Sequence, residues 1–208
     1  MLKIINSDVA NLRSVTNTLA HLNIPHEIVN DAAGLRDAER IILPGVGAFG
    51  AGMNGLHQRG VVEALHEAAA RGTPILGVCL GMHLLFESSE ELGQFAGLGL
   101  LPGHVIRLPG DKLKVPHIGW NQLCHDGQST LLAGVPNGGY AYFVHSYYAN
   151  TTPDLTIATT DYGIAFPSVV GRGNVFGAQF HPEKSQGVGM RLLVNFAGMT
   201  IAERSLSI

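Results

Sequence analysis

The chain of 208 residues has few cysteines, few charges and a single tryptophan. Cys79 and Cys124 are its two cysteines. Two thiols cannot form the dense disulfide framework of a small secreted domain, so free thiols in a cytoplasmic protein are expected. Charged residues make up 14% of the chain, with 13 basic against 16 acidic, and no Lys or Arg cluster exceeds two residues. That balance lacks the basic footprint that nucleic acid or an anionic membrane requires, and neither is expected as a partner. Apolar runs stay well short of the about 18 residues a membrane helix needs. The opening MLKIINSDVANLR has no basic segment leading into an apolar one, so no secretory signal is expected. The ten histidines are scattered, with no H-x-x-x-H or C-x-x-C pair, and no metal site is expected.

What is abundant is apolar residues, at 46%, and glycine, at 27. This composition is that of a globular α/β protein with an ample core, and a single domain over residues 1–208 is expected. The first half alternates strand and helix. Residues 3–6, 26–30, 40–44 and 73–79 read as strands, the last an apolar run of the kind found in central parallel strands. Ser7 or Asp8 is placed to cap a helix in which Val9, Leu12, Val15, Leu19 and Leu22 fall at helical spacing. A helix should follow the glycine loop after residue 44. Further helices are expected over residues 61–71, ended by Gly72, and over residues 80–92. This alternation predicts a mostly parallel central sheet flanked by helices. In the second half, short β-rich runs at residues 104–108, 140–148, 155–160, 167–171 and 174–180 should extend that sheet as antiparallel strands. A helix over residues 189–199 closes the chain.

The sharpest chemical signal is Gly77-Val78-Cys79-Leu80-Gly81, a G-x-C-x-G at the junction of a buried strand and a helix. Small flanking residues permit the tight turn of a nucleophile elbow, here with sulfur as nucleophile. The helix starting at Leu80 aims its N–H groups and positive end at the sulfur, which favours the thiolate. A buried strand cysteine between packing glycines is the alternative. A thiolate nucleophile needs a proton carrier and a group that orients it. Phe180-His181-Pro182-Glu183 offers both, since Pro182 biases His181 toward extended backbone and residues i and i+2 then face one side. Read alone, this H-P-E would be a surface turn. Paired with Cys79 it completes a Cys-His-Glu triad. Acyl transfer also needs oxyanion donors: the Leu80 N–H, and a second from a glycine-rich loop on a neighbouring strand.

Leu43-Pro44-Gly45-Val46-Gly47-Ala48-Phe49-Gly50 is that loop. It contains a literal G-x-G-x-x-G, the outline of a dinucleotide-binding turn. Three features oppose that reading. The fingerprint belongs in the first βα unit, which here is IINSDVANL. Pro44 sits at the strand-to-loop junction, and the next strand ends in Cys79 instead of an acidic residue.

The motifs PGVGAFG, GVCLGM, PHIGWN, YFVHSYY and QFHPEKS, running in order from Pro44 to Ser185, together resemble the triad-type glutamine amidotransferases. The start of the first helix, NLRSV, fits as well. GxCxG with HPE marks the broad family; PGVG, PHIGWN and YFVHSYY are similar to the amidotransferase subunits of imidazole glycerol phosphate synthases. The resemblance implies a flavodoxin-like amidotransferase fold and hydrolysis of glutamine to glutamate and ammonia without a cofactor. Cys79 would attack the side-chain amide, and His181, oriented by Glu183, would protonate the leaving ammonia. Val46, Gly47 and Leu80 would supply oxyanion-hole backbone. Gly45, His83, Glu91, Ser146 and Tyr147 would bind glutamine. The partner would be a cyclase of (βα)8-barrel form in a heterodimer, receiving the ammonia to make imidazole glycerol phosphate and AICAR in histidine synthesis. Trp120, Asn121, Tyr142 and Lys184 would lie at or near the face that meets it; core packing is the alternative for Trp120 and Tyr142.

Two departures from the family's pattern stand out. The family usually has Gln four residues after the nucleophile, where this chain has His83, which bears on substrate affinity more than on reaction type. Its first loop commonly reads D-Y-G-x-G-N, of which NSDVAN keeps Asn11 alone. A paralogous amidotransferase, a γ-glutamyl hydrolase with another partner or none, and a catalytically silent binding module are the other readings. Val46 stands where related amidotransferases carry glycine. A β-branched residue resists positive φ, so the N–H needed by the oxyanion is expected to point away until partner and cyclase substrate bind.

Overall fold

The computed structural model describes residues 1–6, 12–110 and 113–200; the expected cap Ser7 or Asp8, Val9 and Asn11 lie outside the described residues. In chain order the first half contains β1 (Leu2–Ile5), α1 (Leu12–His21), β2 (His26–Val29), β3 (Arg40–Gly45), α2 (Phe49–Gln58), α3 (Val61–Ala70), β4 (Ile75–Cys79) and α4 (Leu80–Leu84). There follow β5 (Phe86–Ser89), β6 (Phe95–Ala96), β7 (Leu101–Arg107), β8 (His117–Gln122), β9 (Tyr140–His145) and β10 (Tyr147–Asn150). The chain continues with β11 (Thr156–Asp161), β12 (Ala165–Arg172), β13 (Val175–Ala178) and α5 (Gln186–Ala197).

Seven strands form one sheet in the order β11-β12-β13-β4-β3-β1-β2. From β2 to β13 the neighbours are parallel, and β12 and β11 add antiparallel strands at one edge. The alternation of side chains along a strand splits the core into two layers. Ile41, Leu43 and Ile75 pack with Phe49, Leu56, Leu65 and Leu84 of α2, α3 and α4. Ile42, Leu76 and Val78 pack with Val15 and Leu19 of α1 and Leu192 and Phe196 of α5. Burial on both faces explains why β4 reads as a continuous apolar run.

Three expectations need correction. The helix expected over residues 80–92 ends at Leu84, and the chain turns into β5. Phe86 is buried and pairs with Leu101 of β7, while Glu87 and Glu90 accept hydrogen bonds from the Gly103 and Arg107 N–H groups. Sheet pairing outweighs the local helix preference of this Leu- and Glu-rich stretch. The run at residues 140–148 breaks at Ser146: β9 pairs with β8 in a ribbon, and β10 joins β7, β5 and β6 in a separate four-stranded sheet. Among the described second-half strands, β11, β12 and β13 extend the main sheet; β12 and β11 do so antiparallel as expected, whereas β13 runs parallel to β4. Strand β8, which holds most of PHIGWN, is not among the expected strands. Among the described residues no helix is long and apolar enough to cross a membrane.

Candidate active site

Strand β4 delivers Cys79 to the carboxyl edge of the sheet, beside Gly45 of β3 in register. Cys79 has φ 54° and ψ −112°, a backbone state that a residue with a Cβ adopts at a cost of about 1–3 kcal/mol. The surrounding glycines hold it there. A Cβ on Gly77 would come 2.5 Å from the Gly81 carbonyl oxygen, one on Gly81 would fall 1.7 Å from the Leu43 carbonyl oxygen, and one on Gly45 would reach 3.0 Å from the Gly81 nitrogen. Thus α4 starts flush against β3 and β4, a closeness only glycine permits. The first-turn N–H groups of α4, including that of Leu80, have no intrahelical partner.

Strand β13 lies parallel to β4 with Ala178 opposite Val78, so His181, three residues on, arrives next to Cys79. His181 is extended, with φ −94° and ψ 100°, and a 3₁₀ turn over Pro182–Lys184 brings Glu183 back under it. The pair therefore meets through a turn, not along the extended chain expected. His181 Nδ1 donates to Glu183 Oε1 at 2.8 Å, with both side chains 3% exposed. Ser185 locks the turn: its hydroxyl donates to the His181 carbonyl at 2.7 Å and accepts the Tyr142 N–H at 2.9 Å. Burial alone would lower the His181 pKa, but the Cys79 sulfur and the Glu183 carboxylate outweigh it and raise it to about 9. The ring is therefore an imidazolium at neutral pH. Its Nε2 is buried without a hydrogen-bond partner, leaving that N–H available on the Cys79 side. The Cys79 sulfur itself lies 4.0 Å from the Val144 carbonyl.

Cys79 and His181 open onto a cavity of about 400 Å³ lined also by Val46, Gly47, Leu80, His83, Glu91, Ser146 and Tyr147. Every expected glutamine-site residue but Gly45 is on this wall, and Gly45 sits just behind it against Leu80. A larger cavity of about 720 Å³, between Trp120, Val135, Val188 and Arg191, contains neither member of the Cys-His pair. His83 is buried, and its Nε2 meets Gln179 Oε1 at 2.7 Å. Burial pushes its pKa down to about 4 against that hydrogen bond, so the ring is neutral. Glu91 accepts the Phe49 N–H at 2.8 Å, and partial burial raises its carboxyl pKa above the usual range. His145, also on this wall, donates Nδ1–H to the Tyr147 carbonyl at 2.8 Å, with its pKa lowered to about 3 by burial. Its Nε2 accepts from His117 Nδ1 at 3.0 Å. In the glycine loop, positive φ falls at Gly47, at 95°, and Val46 keeps negative φ. This is the division of conformations expected from a β-branched residue beside a glycine. Among the described residues no three His, Cys, Asp or Glu side chains gather as metal ligands would.

Trp120, Tyr142 and Lys184 form one surface patch. Trp120 is 46% exposed and packs edge-on to Tyr142 at 6.0 Å, its cross-strand partner, and Lys184 Nζ lies 5.7 Å over the Tyr142 ring. Core packing is thereby set aside for Trp120. Asn121 points to the opposite face, donating to the Asp161 carbonyl at 2.8 Å, and is not part of the patch. No local pattern in the sequence marks Ser185, Gln179 or the His117–His145 pair as positioning groups. Ser185 ends the HPEKS motif, but only the backbone path shows what its hydroxyl bridges.

Comparison with known proteins agrees with this geometry. The family "Glutamine amidotransferase class-I" matches residues 3–199. The chain is 48% identical over 197 residues to "Imidazole glycerol phosphate synthase subunit HisH" of Desulfitobacterium hafniense, covering 94% of this chain and 93% of the relative. It is 46% identical over 206 residues to the subunit of the same name from Listeria monocytogenes, covering 99% of each. Among solved structures, a glutamine amidotransferase superposes with a TM-score of 0.75 at 19% identity, over 95% of this chain and 99% of that one. PurLQS from Thermotoga maritima gives 0.73 at 20% identity, over 94% and 96%. At such identities the structural likeness speaks for the fold.

Proposed function

Because the chain belongs to the class-I glutamine amidotransferase family, we propose that its cavity at Cys79 is a glutaminase site working within imidazole glycerol phosphate synthase. The protein hydrolyses L-glutamine to glutamate and ammonia. The ammonia passes to a cyclase subunit of (βα)8-barrel form, in a heterodimer, for imidazole glycerol phosphate and AICAR synthesis in histidine biosynthesis. The whole of residues 1–208 acts as one amidotransferase domain, and the cytoplasm is its place of work.

The observation that carries the reading is the buried His181 ring, held at 2.8 Å by Glu183 on one side, with its Nε2 left free on the side of the Cys79 sulfur. The Cys79 thiolate attacks the side-chain amide carbon of glutamine. The resulting oxyanion is received by backbone N–H groups of Leu80 and the Val46–Gly47 segment. His181 donates its Nε2 proton to the departing nitrogen, so ammonia leaves and a γ-glutamyl thioester remains. The neutral ring then takes a proton from water as it attacks the thioester, releasing glutamate and restoring the thiolate–imidazolium pair. Glu91 holds the substrate ammonium, and backbone at Ser146 and Tyr147 holds its carboxylate, with His83 and Gly45 shaping the wall. The patch of Trp120, Tyr142 and Lys184 meets the cyclase, with Asn121 bracing β8 from behind.

Val46 supports a resting state in which the second oxyanion donor is withdrawn, because the conformation that turns the donor inward requires positive φ there. The test is glutamine turnover by the subunit alone and with the cyclase and its nucleotide substrate. Turnover should rise at least about tenfold in the complex, within the usual range of coupling between sites. Cys79→Ala should abolish it in both states. Equal activity with and without the partner would count against withdrawal of the donor, and turnover by Cys79→Ala would remove the mechanism.

A further inference from the structure

The oxyanion loop ends where α2 begins, and α2 begins without a cap of its own. Its N-cap position is Ala48, with φ −89° and ψ 145°, a backbone geometry suited to a capping residue but with a side chain that offers no acceptor. The missing acceptor comes from elsewhere in the chain. Glu91 Oε2 accepts the N–H of Phe49, the first residue of the helix, at 2.8 Å. A carboxylate there also meets the positive end of the helix dipole.

Glu91 is itself rigidly placed. It sits on the turn between β5 and β6, in which Leu92 and Gly93 take positive φ. The Glu91 N–H donates to Ser89 Oγ at 3.1 Å. Neighbouring Glu90 ties the turn to β7 twice, its N–H donating to the Val105 carbonyl at 3.1 Å and its carboxylate accepting the Arg107 N–H at 2.9 Å. On the far side, Phe95 of β6 packs so closely on Gly50 that a Cβ there would come within 2.7 Å of its ring. The β5–β6 hairpin thus grips the first turn of α2 at two consecutive residues, Phe49 and Gly50. Between that grip and the end of β3 at Gly45 lie only Val46, Gly47 and Ala48, with Val46 and Gly47 exposed to the cavity.

We infer that Glu91 is a positioning residue for the oxyanion loop, fixing its downstream end by capping α2 from across the cavity. The inference rests on the glutaminase reading and adds a second role to the carboxylate that reading assigns to the substrate ammonium. The two roles are separable because one needs a negative charge and the other only an acceptor. Glu91→Gln keeps an acceptor for the Phe49 N–H and loses the charge; Glu91→Ala loses both. Ala48→Ser can cap the same helix end from the loop's own N-cap position, through the Gly50 or Ala51 N–H instead of that of Phe49, without restoring anything that touches substrate.

The experiment measures kcat and KM for glutamine in the complex with the cyclase and its nucleotide substrate. Glu91→Gln should raise KM while holding kcat close to that of the unmodified protein. Glu91→Ala should raise KM similarly and also lower kcat by about fivefold to tenfold, the equivalent of one lost cap. Adding Ala48→Ser to Glu91→Ala should recover most of that kcat and leave KM raised. Equal kcat in Glu91→Gln and Glu91→Ala, or no recovery by Ala48→Ser, would overturn the inference. Absence of turnover by the unmodified complex would instead strike the glutaminase reading. A second measurement covers a Glu91→Ala protein that does not fold. In the unmodified subunit the Phe49 amide should exchange at least about tenfold more slowly than in Glu91→Asp, whose carboxylate is one methylene short of it. Equal exchange rates would overturn the inference.

Discussion

Gly81→Ala puts the geometry of the nucleophile turn under direct strain. The added methyl would sit 1.7 Å from the Leu43 carbonyl oxygen and 2.8 Å from the Leu43 carbonyl carbon. Ordinary carbon contacts lie at about 3.5 Å, so the start of α4 and the end of β3 must part by roughly 1.8 Å. The obstacle is backbone on both sides, with no flexible side chain to yield. Overpacking of this kind costs about 1–3 kcal/mol of stability. The effect on chemistry is larger, because the two proposed oxyanion donors ride on the elements that separate. Leu80 opens α4, and Val46 and Gly47 follow β3. A misplacement of about 1 Å costs on the order of a hundredfold in rate, so kcat at saturating glutamine should fall by about a hundredfold or more in the complex. Gly187→Ala is the control. No atom lies within 4 Å of a Cβ there, and the residue is inside α5. It should retain kcat and gain up to about 1 kcal/mol in stability from helix propensity. Urea titrations and steady-state turnover of both proteins decide the matter. A Gly81→Ala enzyme with kcat within twofold of the unmodified one would refute the reasoning about how β3, β4 and α4 share the site.

The His181 proton makes a pH prediction whose sign follows from its raised pKa. The imidazolium is lost as pH rises through about 9, so kcat/KM should decline on the alkaline side near that value. The stability added by this proton is fully present below the ordinary 6.5 and likewise fades as pH rises through about 9. Glu183→Gln removes one of the two groups that raise the pKa, so the alkaline limb should move to lower pH; an unmoved limb would contradict the assignment. At the surface patch, Trp120→Ala should weaken cyclase binding at least about tenfold by titration calorimetry, as expected of a central aromatic anchor. An unchanged Kd would take Trp120 out of the interface.

Much of the site was legible in the sequence because its parts are short and local. A cysteine between two glycines at a strand end is permitted to turn sharply, and the structure gives Cys79 the positive φ of such a turn. The pairing of β3, β4 and β13 then brings the glycine loop and His181 to that turn, which parallel strands with helical crossovers make natural. What stayed hidden depends on contacts distant in sequence. Residues 86–92 look helical by composition, and nothing local reports that Phe86 will pair with Leu101 or that Glu91 will reach Phe49. The break of YFVHSYY at Ser146 is of the same kind: two sheets compete for one apolar run, and local pattern cannot divide it. His83 is expected at the glutamine site from the family resemblance, in the place of the family's Gln, and it does line the cavity. Its partner Gln179 lies 96 residues away, beyond any local pattern.

The central claim is that Cys79 carries the γ-glutamyl group between ammonia release and hydrolysis. Rapid quenching of the complex during glutamine turnover, followed by peptide mass analysis, tests it most directly. A γ-glutamyl adduct is expected on the peptide bearing Cys79 and none on the exposed thiol of Cys124. Glutamine consumed with no adduct on Cys79, and at an undiminished rate in Cys79→Ala, would contradict it.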